Sequence, residues 1–81
     1  LHFDLANALY TQGKIEGAIL AYREAIRIRP GYAEAYENLG VSLTRTGRTR
    51  EALQVFQQAL VLNPDSKMAR RYLQVLDPES P

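Results

Sequence analysis

Residues 5 to 30, LANALYTQGKIEGAILAYREAIRIRP, lie over residues 39 to 64, LGVSLTRTGRTREALQVFQQALVLNP, at a constant offset of 34 residues. Six positions are identical across that offset, Leu5/Leu39, Leu9/Leu43, Gly13/Gly47, Ala18/Ala52, Ala25/Ala59 and Pro30/Pro64, where composition alone gives about one or two. Tyr22/Phe56, Ile19/Leu53, Ile26/Leu60, Ile28/Leu62 and Lys14/Arg48 are conservative pairs. A fixed period between roughly 20 and 50 residues marks a stacked repeat architecture, in which each unit is one small supersecondary element.

Each unit reads as two helices. Tyr36, Leu39, Gly40 and Leu43 recur at steps of three and four residues, which is one face of a helix and not the alternation of a strand. Gly47 then ends the helix, since glycine takes the left-handed conformation that closes one without a Cβ penalty. A second helix follows, with Thr49 expected as its N-cap and Ala52, Leu53, Phe56, Ala59 and Leu60 on its inner stripe. Alanines at 18, 25, 52 and 59 let a neighbouring helix approach closely, and Tyr22 and Phe56 between them fill the remaining space. Pro30 and Pro64 stand just past the last apolar residues, where proline stops a helix. Gly17 lies inside the second helix of unit one and weakens its start by about 0.5 to 1 kcal/mol relative to alanine. A fifth helical segment, SKMARRYLQVL, runs to Leu76, and DPESP ends order. The expected organisation is a single repeat domain over 1–76, with units of about 1–32 and 33–66 and the first helix of a third at 67–76, followed by a disordered tail over 77–81.

Composition narrows the function classes. With 81 residues there is room for one small domain, and 46% hydrophobic against 23% charged residues is an ordinary globular balance. A net charge of +1 produces no field that would call for nucleic acid or an anionic membrane. Zero cysteines exclude disulfides, thiolate metal sites and a cysteine nucleophile. No apolar run approaches the roughly 18 residues of a transmembrane helix, and no segment resembles a signal peptide. A soluble, cytoplasmic chain without membrane insertion is the expectation. His2 is the only histidine and has no partners for a zinc site or a triad. Gly13 and Gly47 are isolated and make no phosphate cradle, and Ser42, Ser66 and Ser80 lack a base. RTGRTR at 45–50 is the one basic cluster and reads as a solvated turn, while Arg23, Arg27 and Arg29 stand among Glu16 and Glu24 as i to i+4 surface pairs. No catalytic residues, no cofactor, no metal and no nucleic-acid partner are expected.

These residues resemble the tetratricopeptide repeat, whose pattern of about 34 residues runs W-x2-L-G-x2-Y, A-x3-F, P. Unit two matches as Tyr36-x2-Leu39-Gly40-x2-Leu43, Ala52-x3-Phe56, Pro64. Unit one is looser, as His2-x2-Leu5-Ala6-x2-Leu9, Ala18-x3-Tyr22, Pro30, and a third begins as Arg70-x2-Leu73-Gln74. The resemblance implies an all-α fold of five helices, with antiparallel helix pairs stacked as a right-handed solenoid whose first helices line a concave groove.

It also implies a non-catalytic module that binds a peptide segment of a protein partner in that groove. Carried over by position, the groove residues are Phe3, Asn7, Tyr10 and Thr11 from the first helix. The third supplies Glu34, Glu37, Asn38, Val41, Thr44 and Arg45, and the fifth Met68, Arg71, Tyr72 and Val75. An exposed Phe3 beside an exposed Tyr10 favours a partner over bare solvent. One subfamily clamps the terminal carboxylate of chaperone tails with two asparagines and three basic residues. Asn7 and Asn38 stand at the asparagine positions, but Phe3, Met68 and Tyr72 stand where the cations belong, so the charge-assisted bonds of that clamp are missing. The alternatives are a self-assembly module, with Leu73 and Leu76 of the unpaired fifth helix facing another copy, and the scaffold arm of a larger enzyme.

Overall fold

Two glycines in the left-handed region set the hairpins, Gly13 at φ 81° and Gly47 at φ 79°. The next residue does double duty at each turn. Lys14 N–H reaches back to the Leu9 carbonyl at 2.8 Å and Arg48 N–H to the Leu43 carbonyl at 2.9 Å, closing one helix. Their own carbonyls accept from Ala18 and Ala52, each at 3.0 Å, opening the next. This corrects the expected N-cap: Arg48 holds that position, no side chain caps the helix, and Thr49 is its first residue.

The computed structural model describes residues 1–77; of the expected tail, 78–81 lie outside the described residues. The helices are α1 (His2–Thr11), α2 (Ile15–Ile28), α3 (Ala33–Arg45), α4 (Thr49–Leu62) and α5 (Lys67–Leu76). Each packs mainly on its sequence neighbours, so α2 lies against both α1 and α3, and α4 against both α3 and α5. The result is an elongated α-solenoid of 35 × 25 × 17 Å.

The core follows the period. Ala18, Tyr22 and Ala25 of α2 and Ala52, Phe56 and Ala59 of α4 are buried, with Ala6, Leu39, Leu43 and Ala69 from the first helices. Gly40 is required by close approach: a Cβ there would lie 2.6 Å from Cζ of Phe56. Buried Ser42 donates to the Asn38 carbonyl one turn back, at 2.9 Å, so the core carries no unsatisfied side-chain polar atom among the described residues.

The two ends of the stack differ. Leu39, sandwiched between units, is 4% exposed, whereas Leu5, its counterpart in α1, is 52% exposed, and Leu1 is 99% exposed. At the other end Gln74 is exposed where Ala6 and Gly40 are buried, a polar residue on the face that has no helix against it. Leu73 and Leu76, which on the self-assembly alternative face another copy, pack against the core and are half-buried. No described helix is long and apolar enough to cross a membrane.

The charged outer surface also differs from the expected i to i+4 pairing. Arg27 pairs with Glu24 one turn back within α2, its Nε at 2.9 Å. Arg23 instead reaches Glu51 of α4 at 2.7 Å, and Glu16 is taken by Arg48 at 2.9 Å. Two of these pairs therefore tie unit one to unit two. Being exposed, each is worth about 0 to 1 kcal/mol.

Candidate functional site

The first helices of the units, α1, α3 and α5, share one side of the stack. Their side chains enclose a cleft of about 380 Å³ lined by Asn7, Tyr10, Thr11, Asn38, Val41, Met68 and Tyr72, with Tyr22 of α2 reaching in from behind. None of these side chains is charged.

The floor of the cleft is a hydrogen-bonded knot. Asn7 Oδ1 accepts from the Tyr22 hydroxyl and from Asn38 Nδ2, the latter at 3.1 Å. Both asparagines are thus held in place, while Asn7 Nδ2 and Asn38 Oδ1 have no protein partner among the described residues. Burial pushes the Tyr22 phenol above its ordinary value; the polar amide of Asn38 beside it pulls the other way, and neighbouring Tyr10 adds to the rise. Thr11 is turned onto its own helix, donating to the Asn7 carbonyl at 2.9 Å.

Aromatic packing fixes the walls. Tyr72 stacks on Phe56 with ring centroids 4.8 Å apart and planes 16° from parallel, so the α5 wall rests on the ring that fills the Gly40 notch. Across the groove Arg45 donates from Nη1 to the Tyr10 hydroxyl at 3.1 Å, its guanidinium 5.4 Å from the ring centroid. Arg45 is charged at any ordinary pH, and the hydrogen bond to Tyr10 raises the guanidinium pKa further.

Other expected groove residues stand elsewhere. Phe3 and Tyr10 are half-buried, not exposed as expected. Phe3 meets Tyr22 edge-on at 5.9 Å and Tyr32 at 4.7 Å, and lines a second cleft with Leu1, Ile28, Arg29 and Tyr32. Glu37 accepts the hydroxyl of Ser66, whose Oγ in turn accepts Ala69 N–H at 3.1 Å as the N-cap of α5. Thr44 bonds to the Gly40 carbonyl at 2.9 Å, and Glu34, Arg71 and Val75 are exposed and outside the cleft lining. The basic turn is less free than expected, with Arg45 on Tyr10 and Arg48 on Glu16.

Two residues escaped the sequence reading. Tyr22 was assigned to the core, yet a hydroxyl at the position where unit two has Phe56 signals a polar partner within reach. Tyr32 stands one period before Ser66, and an aromatic there, with Phe3 one period before Glu37, was the sign that the two junctions are built differently.

Comparison with known proteins gives the same repeat. A family model described as TPR repeat matches residues 6–47, and one described as Tetratricopeptide repeat matches 33–66. The human Protein O-mannosyl-transferase TMTC1 is 41% identical over 77 residues, covering 95% of this chain but 9% of that protein. The Peroxisomal targeting signal receptor of Saccharomyces cerevisiae is 33% identical over 66 residues, or 82% of this chain and 11% of that one. Among solved structures, the Arabidopsis OM64 TPR domain superposes with a TM-score of 0.91 at 25% identity, covering 98% of this chain and 65% of that one. The second TPR domain of human RPAP3, determined in complex with the HSP70 peptide SGPTIEEVD, gives 0.87 at 29% identity over 93% of this chain and 62% of that one.

Proposed function

This chain belongs to the tetratricopeptide repeat family, and on that premise we propose that it is a non-catalytic interaction module that holds a peptide segment of a protein partner in the groove of α1, α3 and α5. The observation that carries this reading is the cleft over Asn7 and Asn38. It offers uncharged walls from Tyr10, Val41, Met68 and Tyr72 for an apolar side chain. The unspent amide groups of the two asparagines, one donor and one acceptor, match the C=O and N–H of a peptide backbone. That the RPAP3 domain was determined with a peptide and that the yeast relative is named a receptor support the same use.

A terminal carboxylate is not the group this groove is built for. Met68 and Tyr72 line it without a cation, and Phe3 is turned away into aromatic packing. The occupant is an internal segment with an apolar anchor. Val41→Asp and Tyr10→Glu test this, since each puts a charge on the cleft wall; both should abolish capture of partner peptides while leaving the helical circular dichroism intact. Undiminished capture by both variants sinks the groove assignment.

Self-association is a second reading, favoured by the exposed Leu5 of α1 where its counterpart in α3, Leu39, is covered. Light scattering across about a hundredfold range of concentration, on the chain and on Leu5→Ser, decides it: an oligomer that dissociates only in the variant supports it, and a monomer in both removes it. Likeness to a transferase of which this chain matches 9% supports the third role, as the scaffold arm of a larger enzyme whose chemistry resides in other segments.

A further inference from the structure

We propose that the groove selects segments in which an aspartate or glutamate lies within one or two residues of the apolar anchor, with Arg45 as the group that reads the carboxylate. The inference rests on the groove reading above. Its basis is the disposition of the arginines. On the outer side, Arg23, Arg27 and Arg48 are each neutralised by a glutamate. Arg29 lies over the Tyr32 ring at 4.3 Å, and Arg70 donates to the Pro64 carbonyl at 2.6 Å. Arg45, like the exposed Arg50 and Arg71, makes no ion pair among the described residues; what sets it apart is its bond to the hydroxyl of Tyr10, a residue of the cleft wall.

That bond aims the guanidinium at the rim of the cleft while spending one of its five donors. The uncharged cleft would strip a carboxylate of water with nothing in return, whereas the rim offers it a planar, charged fork. Anchor inside and acid at the rim are thus the complementary arrangement. Tyr10 both lines the cleft and holds the Arg45 guanidinium 5.4 Å from its ring centroid, so an anchor packed on that ring needs only one or two extended residues, at about 3.3 to 3.6 Å each, to bring an acid to Arg45.

The test is an array of short acetylated and amidated peptides, each with a central Leu, Phe or Met in a Gly/Ser background and Glu, Gln or Lys at each flanking position. Affinities are read by fluorescence polarisation on the unaltered chain, Arg45→Gln and Val41→Asp. Expected is about fivefold to tenfold tighter binding with Glu than with Gln beside the anchor, a preference that shrinks with added salt. Arg45→Gln should erase the difference between the Glu and Gln peptides, whatever it does to the affinity they share through the Tyr10 wall. Equal affinities for Glu and Gln on the unaltered chain overturn the acid selection and leave the groove reading standing. A preference that persists in Arg45→Gln overturns the role of Arg45. Absence of binding to every peptide, or binding indifferent to Val41→Asp, overturns the groove reading and this inference with it.

Discussion

The ring of Phe56 occupies the space in which a side chain at Gly40 would begin, its Cζ 2.6 Å from the site of that missing Cβ. Tyr72 stacks on the face of the same ring, so a shift of that ring reaches the groove wall. Gly40→Ala is expected to destabilise the chain by about 1 to 3 kcal/mol as an overpacked core, despite the higher helix propensity of alanine. Urea denaturation measures it, and Phe56→Leu in the same background should cost less than it does alone, since the smaller side chain makes room for the methyl.

Gly17 is the opposite case. Its added Cβ would meet Leu9 Cδ1 at 3.5 Å, an ordinary contact. Gly17→Ala should therefore stabilise by about 0.5 to 1 kcal/mol, read as a raised denaturation midpoint with an unchanged slope. An unchanged or lowered midpoint would mean that the first turn of α2 depends on something other than backbone entropy.

The two inter-unit junctions use different chemistry at the same register. Phe3 and Tyr32 meet as rings, whereas one period later Glu37 accepts the hydroxyl of Ser66, itself the cap of α5. Ser66→Ala removes the cap and leaves the half-buried carboxylate without its donor, at an expected cost of about 1 to 2 kcal/mol. The loss should concentrate in α5, where amide hydrogen exchange would speed up well before that of α2. Uniform acceleration across all helices would refute the local assignment.

Tyr22 gives a pH signature. Its folded-state pKa is raised above the ordinary value near 10 by burial, so its contribution is fully present below about pH 10 and lost as pH rises through the folded pKa. Stability of the unaltered chain should fall more steeply above about pH 10 than that of Tyr22→Phe. At neutral pH the variant should cost about 0.5 to 1.5 kcal/mol for the lost bond to Asn7. Parallel alkaline profiles would show that the phenol is not held from water.

Much of this fold was legible because a 34-residue period states each instruction twice. Gly13 and Gly47, the alanine stripes and the two aromatics between them needed only local rules. Contacts between units were less legible. Arg23 has Glu24 beside it in sequence, yet bonds to Glu51 across the seam, because stacking of the two units brings together residues that no helical spacing connects. Thr49 failed as a cap for a similar reason: the turn makes Arg48 close one helix and open the next through its backbone, leaving the hydroxyl nothing to do. At the groove, spacing placed Asn7, Tyr10, Asn38 and Val41 on one face, and these line the cleft. It could not show that Asn7 and Asn38 spend one bond on each other or that Phe3 turns to Tyr32, since both depend on the angle between units.

That angle is spanned by polar contacts on both sides of the packed core. The ion pairs Arg23–Glu51 and Arg48–Glu16 fasten the outer helices across the seam, while the Asn7–Asn38 bond closes the inner side. Exposed pairs of this kind hold little on their own, so the curvature of the groove, and with it the bulk of the anchor it admits, is held by the packed helices between the two sides, at positions that never touch a ligand.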